Sequence, residues 1–526
     1  MKEAGKKKKL ITAGVLCVIC LVQLCLWWHY GKQKEYLMCD ELFSYTSSNN
    51  AEIQAFDMPL NQWLDKDWYL SQAAVTEGHA FDYAIPYRNQ EADVHPPFYY
   101  VLLHTLSSFV PGQVSVALGV ALNCFFLLGC TIFLYLNAYE IFKSRGIALA
   151  VAALYGLTYG ACNTAAFIRM YAMFSFWLLV HVYVYLHFVE QERMNPKTYV
   201  LLGLSLTAGA LTHYYFVLAA ALLAAWYFVK LWVKKHWKEV SCYHVTLELS
   251  AVAALAIFPA MWKHVFNDYR GEETRENLVN LAGFKGNLKI MYGIINDELF
   301  GGFLPLFLAA AAVLLMVYAW KKKQFPRKEV EKLFPVLFMT CGYFLLVTKV
   351  APYMTDRYLM PVFSFTVLIA AGSLCWLLSR LIRPEAAVGI CAAAFLLPSL
   401  WNLSRNIPSY VYPDFREHRE LAETYADKYC VYIDRQYDWW EYYGAVQLLK
   451  EYKSFYCISY AAITDDIQAG MEAFADEDEI LVWVGDSQLN EEITGYIRET
   501  VGASELGPVD DWGKYHIYLA KRTENQ

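Results

Sequence analysis

Charged side chains are scarce in this sequence. Only 18% of the 526 residues are Asp, Glu, Lys or Arg, whereas 57% are hydrophobic. A soluble protein of this length needs more charge to cover its surface, so the composition excludes an ordinary soluble enzyme. The apolar residues fall into blocks of roughly 17–25, which is the length that crosses a bilayer. The sequence therefore predicts a polytopic α-helical membrane protein.

Three further features are missing, and each absence narrows the class of protein. No small-x-small cleavage site follows the apolar run Leu10–Trp28, although Lys6 to Lys9 precede it, so we expect an uncleaved anchor with a cytoplasmic N-terminus. No internal repeat and no pair of carboxylates within one predicted span is visible, and both are typical of proton-coupled transporters. Basic residues cluster in short loops, so the net charge of -7 indicates membrane orientation and not nucleic-acid binding.

The hydrophobic runs predict about eleven transmembrane helices, at roughly 20 residues for each span. The first is Leu10–Trp28, and the others are Val114–Leu136, Ile147–Cys162, Met170–Phe188, Tyr199–Thr212, Tyr215–Leu231, Leu247–Trp262, Gly302–Trp320, Leu333–Val350, Tyr358–Leu378 and Ala386–Leu403. If these helices alternate, the basic loops, such as those with Lys143 and Arg145 or Lys234 and Lys235, all lie on the cytoplasmic side. The shorter run His95–Val110 begins with two prolines, and we expect a helix that lies at the outer interface.

This topology predicts two domains. Residues 1–404 form a multi-spanning transmembrane domain with a large first outer loop at 31–112, and residues 405–526 form a soluble α/β domain outside the membrane. The predicted strands of this tail are Cys430–Asp434, Phe455–Tyr460, Ile480–Val484 and Tyr515–Ala520, and its predicted helices are Trp439–Tyr452, Asp465–Ala475 and Glu491–Val501. The tail contains neither a G-x-G-x-x-G nor a G-x-x-x-x-G-K motif, so its sequence specifies no function.

Thirteen cysteines are present, most of them in apolar helices, where a free cysteine behaves as a small hydrophobic residue. Cys17 and Cys20 have the C-x-x-C spacing of redox and metal sites, but they lie within the first hydrophobic stretch, and we interpret them as packing residues. Cys430 and Cys457 lie in the tail, where either a disulfide or two separate thiols would fit.

Two acidic clusters in the first outer loop are candidates for chemistry. Asp40 and Glu41 follow the first span within an aromatic and apolar stretch, where partial desolvation would make a carboxylate a better general base. Asp93 and His95 precede Pro96 and are held by its rigid backbone; they could act as an acid, a phosphate contact or a metal ligand. A helix cap for the first pair and an ordinary turn for the second remain open as alternatives.

Charged and imidazole side chains at the outer helix ends form the second group of candidates. Arg169 ends an apolar helix, where an arginine usually faces a cavity or an anionic partner, and its planar fork matches two phosphate oxygens. Arg357 follows Asp356 and could hold a second phosphate oxygen. His213 lies at another junction. Snorkelling to the interface is the alternative for both arginines, and a structural role is the alternative for the histidine. Asp297 and Glu298 precede a span, but the glycines after them favour a loop.

These pieces, in this order, resemble the GT-C glycosyltransferases, in particular the branch with the protein O-mannosyltransferases and the lipid A aminoarabinose transferases. The matching pieces are Asp40-Glu41, the segment Asp93-Val-His-Pro-Pro-Phe-Tyr-Tyr100, Arg169-Met-Tyr171 and Asp356-Arg-Tyr-Leu-Met-Pro361. The likeness covers roughly the first 230 residues and the last of these motifs. It implies a GT-C-like transmembrane domain with its active site at the outer membrane face.

The resemblance also implies a polyprenyl-phosphate-linked sugar as donor and Asp40 as the catalytic base, with Glu41 and Asp93 as further acidic candidates. An acceptor hydroxyl is a poor nucleophile until a carboxylate takes its proton, and one displacement should invert the anomeric centre. Negative charge grows on the departing phosphate, and cationic or polar donors stabilise it. The donor-phosphate candidates are His95, Arg169, Tyr171, Arg357 and Tyr358.

One departure from the family concerns the metal. The aminoarabinose branch has Glu-Lys before the two prolines, and that Glu helps to hold a metal; here the pair is Val94-His95. A divalent metal bound by a different ligand set, Asp93 and His213, is therefore an alternative to a site without metal. The acceptor could be a protein hydroxyl, a cell-wall glycan or a membrane lipid. A transporter of lipid-linked sugars is the main alternative to an enzyme, and an anchored scaffold would explain neither Arg169 nor the clustered acids.

Overall fold

The computed structural model describes residues 2–52, 59–190, 195–280, 282–322, 327–434, 439–459, 470–474, 476–485 and 491–522. The chain divides into two compact units. The membrane unit comprises Met1–Gln33, Gln90–Leu102 and Ala117–Val411, and the loop–tail unit comprises Lys34–Asn89, Leu103–Val116 and Tyr412–Gln526. The first outer loop and the tail thus contribute to one unit. The predicted domain boundary at residues 404 and 405 stays a prediction.

The described helices up to the middle of the chain are as follows. They are α1 (Lys2–Gly31), α2 (Cys39–Asn49), α3 (Lys66–Ala73), α4 (Ala84–Ala92), α5 (Phe98–Ser107), α6 (Val116–Phe142), α7 (Arg145–Gly156), α8 (Tyr159–Ala166), α9 (Tyr171–Glu190), α10 (Pro196–Ala210), α11 (Tyr215–Val233) and α12 (Trp237–Ile257).

The second half of the described chain continues the bundle. Its helices are α13 (Ala260–Phe266), α14 (Tyr269–Val279), α15 (Phe284–Phe300), α16 (Leu304–Lys322), α17 (Arg327–Val350), α18 (Met360–Val367), α19 (Ser373–Ser379), α20 (Pro384–Arg405), α21 (Phe415–Glu423), α22 (Trp439–Leu449) and α23 (Glu491–Val501). A π-helical segment, Leu368–Gly372, joins α18 to α19, and a 3₁₀ turn at Asp356–Tyr358 precedes α18.

Eight helices of the described chain are long and apolar enough to cross a membrane, or nine if a bent pair counts as one span. The predicted count of about eleven is not confirmed. The predicted span Tyr199–Thr212 corresponds to α10, which has only 15 residues, and the apolar part of α9, Tyr171–Leu186, is also short. The predicted span Leu247–Trp262 starts earlier, at Trp237, and stops at Ile257 because Pro259 disfavours helical backbone at the residue before it.

The bent pair is α7 and α8, whose axes differ by 57°. Buried side chains of α1 donate to carbonyls that the end of α7 leaves free: Gln23 Nε2 donates to the Ala153 oxygen at 3.1 Å, and Trp27 Nε1 donates to the Gly156 oxygen at 2.9 Å. A backbone group without a partner is expensive in a lipid environment, so these bonds allow the break. Thr158 then restarts the helix by capping Ala161.

The loop–tail unit is built on a sheet whose described strands run in the order β1-β3-β2-β4-β6-β5. They are β1 (Trp63–Leu64), β2 (Tyr429–Asp434), β3 (Ser454–Ser459), β4 (Glu479–Gly485), β5 (Ala503–Trp512) and β6 (Tyr515–Arg522). β2 pairs in parallel with β3 and β4, while β1, β5 and β6 add antiparallel. The predicted α/β tail is confirmed. The predicted helix Asp465–Ala475 lies largely outside the described residues. In its described part, Glu472–Phe474 form a 3₁₀ turn.

The cysteine pair of the tail is not a disulfide, contrary to one of the two alternatives. Cys430 and Cys457 are both buried free thiols. They lie on neighbouring strands but out of register, because Cys430 is opposite Phe455 and Cys457 is opposite Tyr432. Cys17 and Cys20 are likewise separate thiols.

Candidate active site

Seven of the predicted site residues form one connected set in the membrane unit, which we call the Arg169 cluster. Each lies at a junction between helices or at the start of one. The cluster comprises Asp93 and His95 between α4 and α5, Arg169 and Tyr171 between α8 and α9, His213 between α10 and α11, and Arg357 and Tyr358 in the 3₁₀ turn before α18. Asp40 and Glu41 belong to the loop–tail unit.

Asp93, His95 and Arg169 form a hydrogen-bonded relay. His95 Nδ1 lies 2.8 Å from Asp93 Oδ2, and its Nε2 lies 3.5 Å from a terminal nitrogen of Arg169. Since a guanidinium can only donate, the imidazole accepts at Nε2 and donates from Nδ1 to Asp93. Burial favours the neutral form of Asp93, but His95, its hydrogen bond and the Arg169 charge together lower the pKa of this carboxyl. The relay therefore holds an ionised acid and an imidazole of fixed orientation.

Arg169 is 5% exposed and is anchored on several sides. One terminal nitrogen donates to the Tyr100 hydroxyl at 3.2 Å. Burial opposes its charge, but the oxygens of Tyr100 and Tyr171 and the Asp93 carboxylate raise its pKa on balance. Its backbone is fixed too, because its N–H bonds to the Phe167 oxygen at 2.7 Å. The result is a permanent cation held in one orientation.

The His213 ring packs against other aromatic rings of the cluster. Its Nδ1 accepts from the Tyr215 N–H at 3.0 Å, and its ring stacks on Phe174 at 5.4 Å between centroids. The rings of His95 and Tyr171 lie 6.4 and 5.5 Å away. Burial, with help from His95 and Arg169, lowers the pKa of His213 well below its ordinary value. His213 is therefore a neutral, packed side chain.

Arg357 approaches the same cluster through tyrosine rings. Its guanidinium lies 5.1 Å from the centroid of the Tyr358 ring, whose own centroid is 6.4 Å from that of Tyr171. The Tyr343 hydroxyl donates to the Tyr358 oxygen at 3.0 Å and fixes this turn. Cation–π contacts of this kind leave the edge of a guanidinium available for an anion.

Some residues beside the cluster were not identified from the sequence. Arg270 lies over the Tyr353 ring at 5.7 Å, and Arg357 lies over the same ring at 6.0 Å. Tyr100 stands at the end of the motif that starts at Asp93, so its pairing with Arg169 could have been proposed from the sequence. The sequence offered only one weak signal for Arg270, which is its position next to Tyr269 at a helix start.

Glu298 and Asp356 form a carboxyl pair that the sequence did not predict. Glu298 was interpreted as part of a loop, but it lies near the end of α15, where its Oε1 accepts from Asn163 Nδ2 at 3.0 Å. Asp356 accepts from the Tyr410 hydroxyl at 2.6 Å and from the Arg357 N–H at 2.8 Å. Burial raises the pKa of both acids, and Asp356 raises that of Glu298 further. The neighbouring Asp356 thus favours the protonated form of Glu298.

This carboxyl pair connects to the Arg169 junction through stacked rings. The Tyr410 ring stacks on Phe167 with centroids 4.1 Å apart and planes 17° apart. Phe167 stacks in turn on Tyr171 at 5.8 Å. Phe167 is the residue whose carbonyl holds the Arg169 backbone, so the acid pair braces the loop that presents the arginine.

Asp40 and Glu41 begin α2 in the loop–tail unit and have different environments. Glu41 accepts from Lys34 Nζ at 2.8 Å and from the Met38 N–H at 2.9 Å, and both charged side chains are fully buried. Burial lowers the pKa of Lys34, although Glu41 favours its charged form. Asp40 is 7% exposed and stands in the first helical turn, where the helix dipole favours a carboxylate.

The residues of the Arg169 cluster do not fit a divalent metal. Within the described parts of the chain, no group of three or more His, Cys, Asp or Glu side chains could hold an ion. His95 Nε2 faces a guanidinium, and His213 Nδ1 accepts from the backbone, so neither nitrogen is directed at a shared ligand position with Asp93.

Comparison with known proteins identifies solved structures with a similar fold. No protein-family model and no curated protein matches the sequence. The structure is similar to ArnT from Cupriavidus metallidurans in the apo state, with a TM-score of 0.54, 10% identity and 98% of both chains covered. It is also similar to the same ArnT bound to undecaprenyl phosphate, with a TM-score of 0.53, 10% identity and 96% and 98% of the two chains covered.

A third similar structure is archaeal oligosaccharyltransferase AglB from Archaeoglobus fulgidus, in complex with an inhibitory peptide and a dolichol-phosphate. Its TM-score is 0.50, with 12% identity over 90% of this chain and 69% of that chain. Both proteins are members of the GT-C superfamily. The predicted GT-C-like fold, a multi-pass helical membrane domain followed by an α/β domain, is therefore confirmed.

Proposed function

We propose that this protein is a membrane glycosyltransferase that takes its sugar from a polyprenyl-phosphate carrier. The observation that carries the proposal is the Asp93–His95–Arg169 relay, which holds a buried guanidinium in a fixed orientation within a GT-C fold. Similar folds have been determined with undecaprenyl phosphate and dolichol-phosphate bound. These likenesses support a lipid phosphate as ligand.

The Arg169 cluster has the chemistry to bind the phosphate. Arg169 supplies a buried cation with fork geometry, and Arg357 supplies a second cation beside the Tyr358 ring. As the sugar leaves, a bridging oxygen of the phosphate gains negative charge. Cations fixed before the reaction stabilise that charge without reorganisation. Tyr171 and Tyr358 keep the arginines in place and line the cluster with apolar surface.

Asp40 is proposed as the general base. It takes the proton of the acceptor hydroxyl while the acceptor oxygen forms a bond to the anomeric carbon of the sugar. The bond from that carbon to the phosphate oxygen breaks, and its electron pair stays on the polyprenyl phosphate. One displacement of this kind inverts the anomeric centre. Glu41 serves less well as a base, because Lys34 and the Met38 N–H already bind its carboxylate.

The location of the reaction is proposed from the charge pattern. The lysines in the first turns of α1 favour a cytoplasmic N-terminus. With an odd number of spans, the C-terminal α/β domain then lies outside a cell membrane. An enzyme there has no access to nucleotide sugars of the cytosol and needs a donor carried on a lipid. A membrane lipid, a glycan or a protein hydroxyl would then be the acceptor.

The test is sugar transfer in membranes that contain the protein. Labelled polyprenyl-phosphate sugars are supplied with a panel of lipid, glycan and peptide acceptors, and the wild type is compared with Asp40→Asn. We expect the loss of a general base to lower the transfer rate about 10²- to 10⁴-fold. Asp67→Asn, an exposed acid in the first turn of α3, is the matched control and should keep full activity.

Two results would contradict the proposal at different levels. Full transfer by Asp40→Asn would show that another acid, with Asp93 as the next candidate, acts as base. Movement of labelled lipid across the membrane without any product, for all donor and acceptor pairs, would favour a transporter of lipid-linked sugars.

A further inference from the structure

The segment between α1 and α2 is bound by the tail at nearly every residue. This segment, Lys34 to Met38, directly precedes the helix that carries Asp40. All of it lies in the loop–tail unit together with α21, α22 and the sheet. The contacts below give the tail a role that its own sequence did not specify.

Leu37 is held through its backbone by one side chain. The Leu37 N–H donates to Gln447 Oε1 at 3.0 Å, and Gln447 Nε2 donates back to the Leu37 oxygen. Gln447 lies on α22 and is 3% exposed. An amide that both accepts from and donates to the same residue fixes the position and the rotation of that peptide, as a neighbouring β-strand would. Asp40 is three residues further on.

Glu35 and Tyr36 are bound by α21 and the residues around it. Glu35 forms ion pairs with Arg416 at 2.5 Å and Arg419 at 2.8 Å. The Tyr36 ring packs against the rings of Tyr412, Phe415 and Trp512, with centroids 5.0, 5.0 and 5.3 Å away. Charge and aromatic packing thus fix the two residues before Leu37.

Lys34 and Glu41 close the segment on itself. Their buried ion pair links the residue that starts the segment to the first turn of α2. Lys34 also lies over the Tyr412 ring at 5.0 Å, so the tail contributes to this pair as well. Breaking one partner would leave a buried charge, which makes the closed arrangement rigid.

We propose that α21 and α22 position Asp40, with Gln447, Arg416 and Arg419 as the positioning residues. This inference rests on the proposed function, in which Asp40 is the base. A base must approach the hydroxyl within hydrogen-bond distance, and a displacement of about 1 Å can slow a reaction about a hundredfold. The tail therefore controls the rate of the chemical step and does so without touching the substrate.

The test uses the full-length protein with Gln447→Ala and with the double variant Arg416→Ala/Arg419→Ala. Transfer kinetics are measured with labelled polyprenyl-phosphate sugar and the acceptor found active with the wild type. We expect kcat to fall about ten- to a hundredfold for Gln447→Ala and about tenfold for the double variant, with KM for the donor unchanged. Arg498→Ala, an exposed arginine on α23, is the matched control and should leave kcat unchanged.

A second measurement needs no substrate. Cys39 lies beside Asp40 and is 3% exposed, while Cys430 and Cys457 are fully buried in the sheet of the same unit. We expect maleimide to label Cys39 faster in both variants while Cys430 and Cys457 stay protected, as peptide mass mapping would show. Labelling of all three would mean that Gln447→Ala unfolds the unit, and the double variant, whose Arg416 side chain is 54% exposed, then decides the question.

Exchanging the charges of the ion pair between Glu35 and the two arginines tests whether kcat can be rescued. Glu35→Arg should lower kcat as the double variant does, and Glu35→Arg combined with Arg416→Glu and Arg419→Glu should recover part of it. Unchanged kcat in both positioning variants, with Asp40→Asn inactive, would overturn this inference and leave the proposed function intact. A raised KM for the acceptor at unchanged kcat would also overturn it, because the tail would then bind the acceptor. Full activity of Asp40→Asn would instead remove the base from the proposed function.

Discussion

Asp93 and Glu298 are acids of the same unit that respond to burial in opposite ways. Burial favours the neutral form of both. Asp93 faces His95 and Arg169, which lower its pKa, whereas Glu298 faces Asp356, which raises its pKa further. The comparison teaches that the partner decides the charge state of a half-buried acid. One acid stabilises a cation, and the other is favoured in its protonated form.

The largest effect is expected where the cation that fixes Asp93 is removed. Arg169→Ala should lower transfer about 10²- to 10³-fold, because a preorganised phosphate donor is lost. The pKa of Asp93 should rise at the same time. Arg169→Lys keeps the charge but not the fork, so it should fall between the alanine variant and the wild type. Transfer rates at equal protein level test this order, and wild-type rates in both variants would contradict the assignment of the phosphate contact.

A smaller effect is expected from substitutions of Glu298. Glu298→Ala leaves Asn163 and Asp356 without their partner and should lower stability by about 1–3 kcal/mol. Glu298→Gln is the sharper variant, since its amide keeps the shape of the protonated acid and stays uncharged at every pH. Thermal unfolding and transfer rates of both variants against wild type measure the difference.

The pH dependence of that pair has a defined sign. The pKa of Glu298 is raised in the folded protein, because burial and Asp356 disfavour its charged form, so the stability that depends on its protonated form is present at low pH and is lost as pH rises through that raised pKa. We expect wild-type stability and transfer to decline on the alkaline side and Glu298→Gln to lack this decline. An identical alkaline limb in both proteins would show that ionisation of Glu298 does not cause the decline.

The smallest effect is expected from His95→Ala, which separates Asp93 from the imidazole. The hydrogen bond is partly exposed, so its loss should lower stability by only about 1 kcal/mol. The pKa of Asp93 is lowered in the folded protein, so its contribution is present above the ordinary value of 3.8 and is lost as pH falls. In His95→Ala that loss should begin at a higher pH. Thermal unfolding from acidic to neutral pH checks this, and an unchanged acid limb would argue against the relay.

Much of the fold and part of the site could be predicted from the sequence. The α/β tail was visible because strands such as Ile480–Val484 are short apolar runs between helical segments. Arg169 and Arg357 stood out because charge in or beside an apolar helix is costly. The motif that starts at Asp93 was marked by its two prolines. These signals are local, so one sequence is enough to show them.

The remainder depends on contacts between distant segments. Glu298 and Asp356 lie on separate helices, and nothing near either residue shows that they meet. The helix count is not confirmed for a physical reason: α10 is short, and the break between α7 and α8 depends on Gln23 from α1. β5 was missed because it contains Gly507, Pro508 and three acids, which an edge strand with bulges tolerates.

The two-residue strand β1 has a consequence for handling the tail in isolation. Trp63 and Leu64 pair antiparallel with Tyr456 and Phe455 and thereby cover one edge of the sheet. A fragment that starts at Tyr412 would lack this cover and would present the open backbone of β3, a strand whose side chains are almost all buried. Such a fragment should self-associate through strand addition. Including the first outer loop should keep it monomeric.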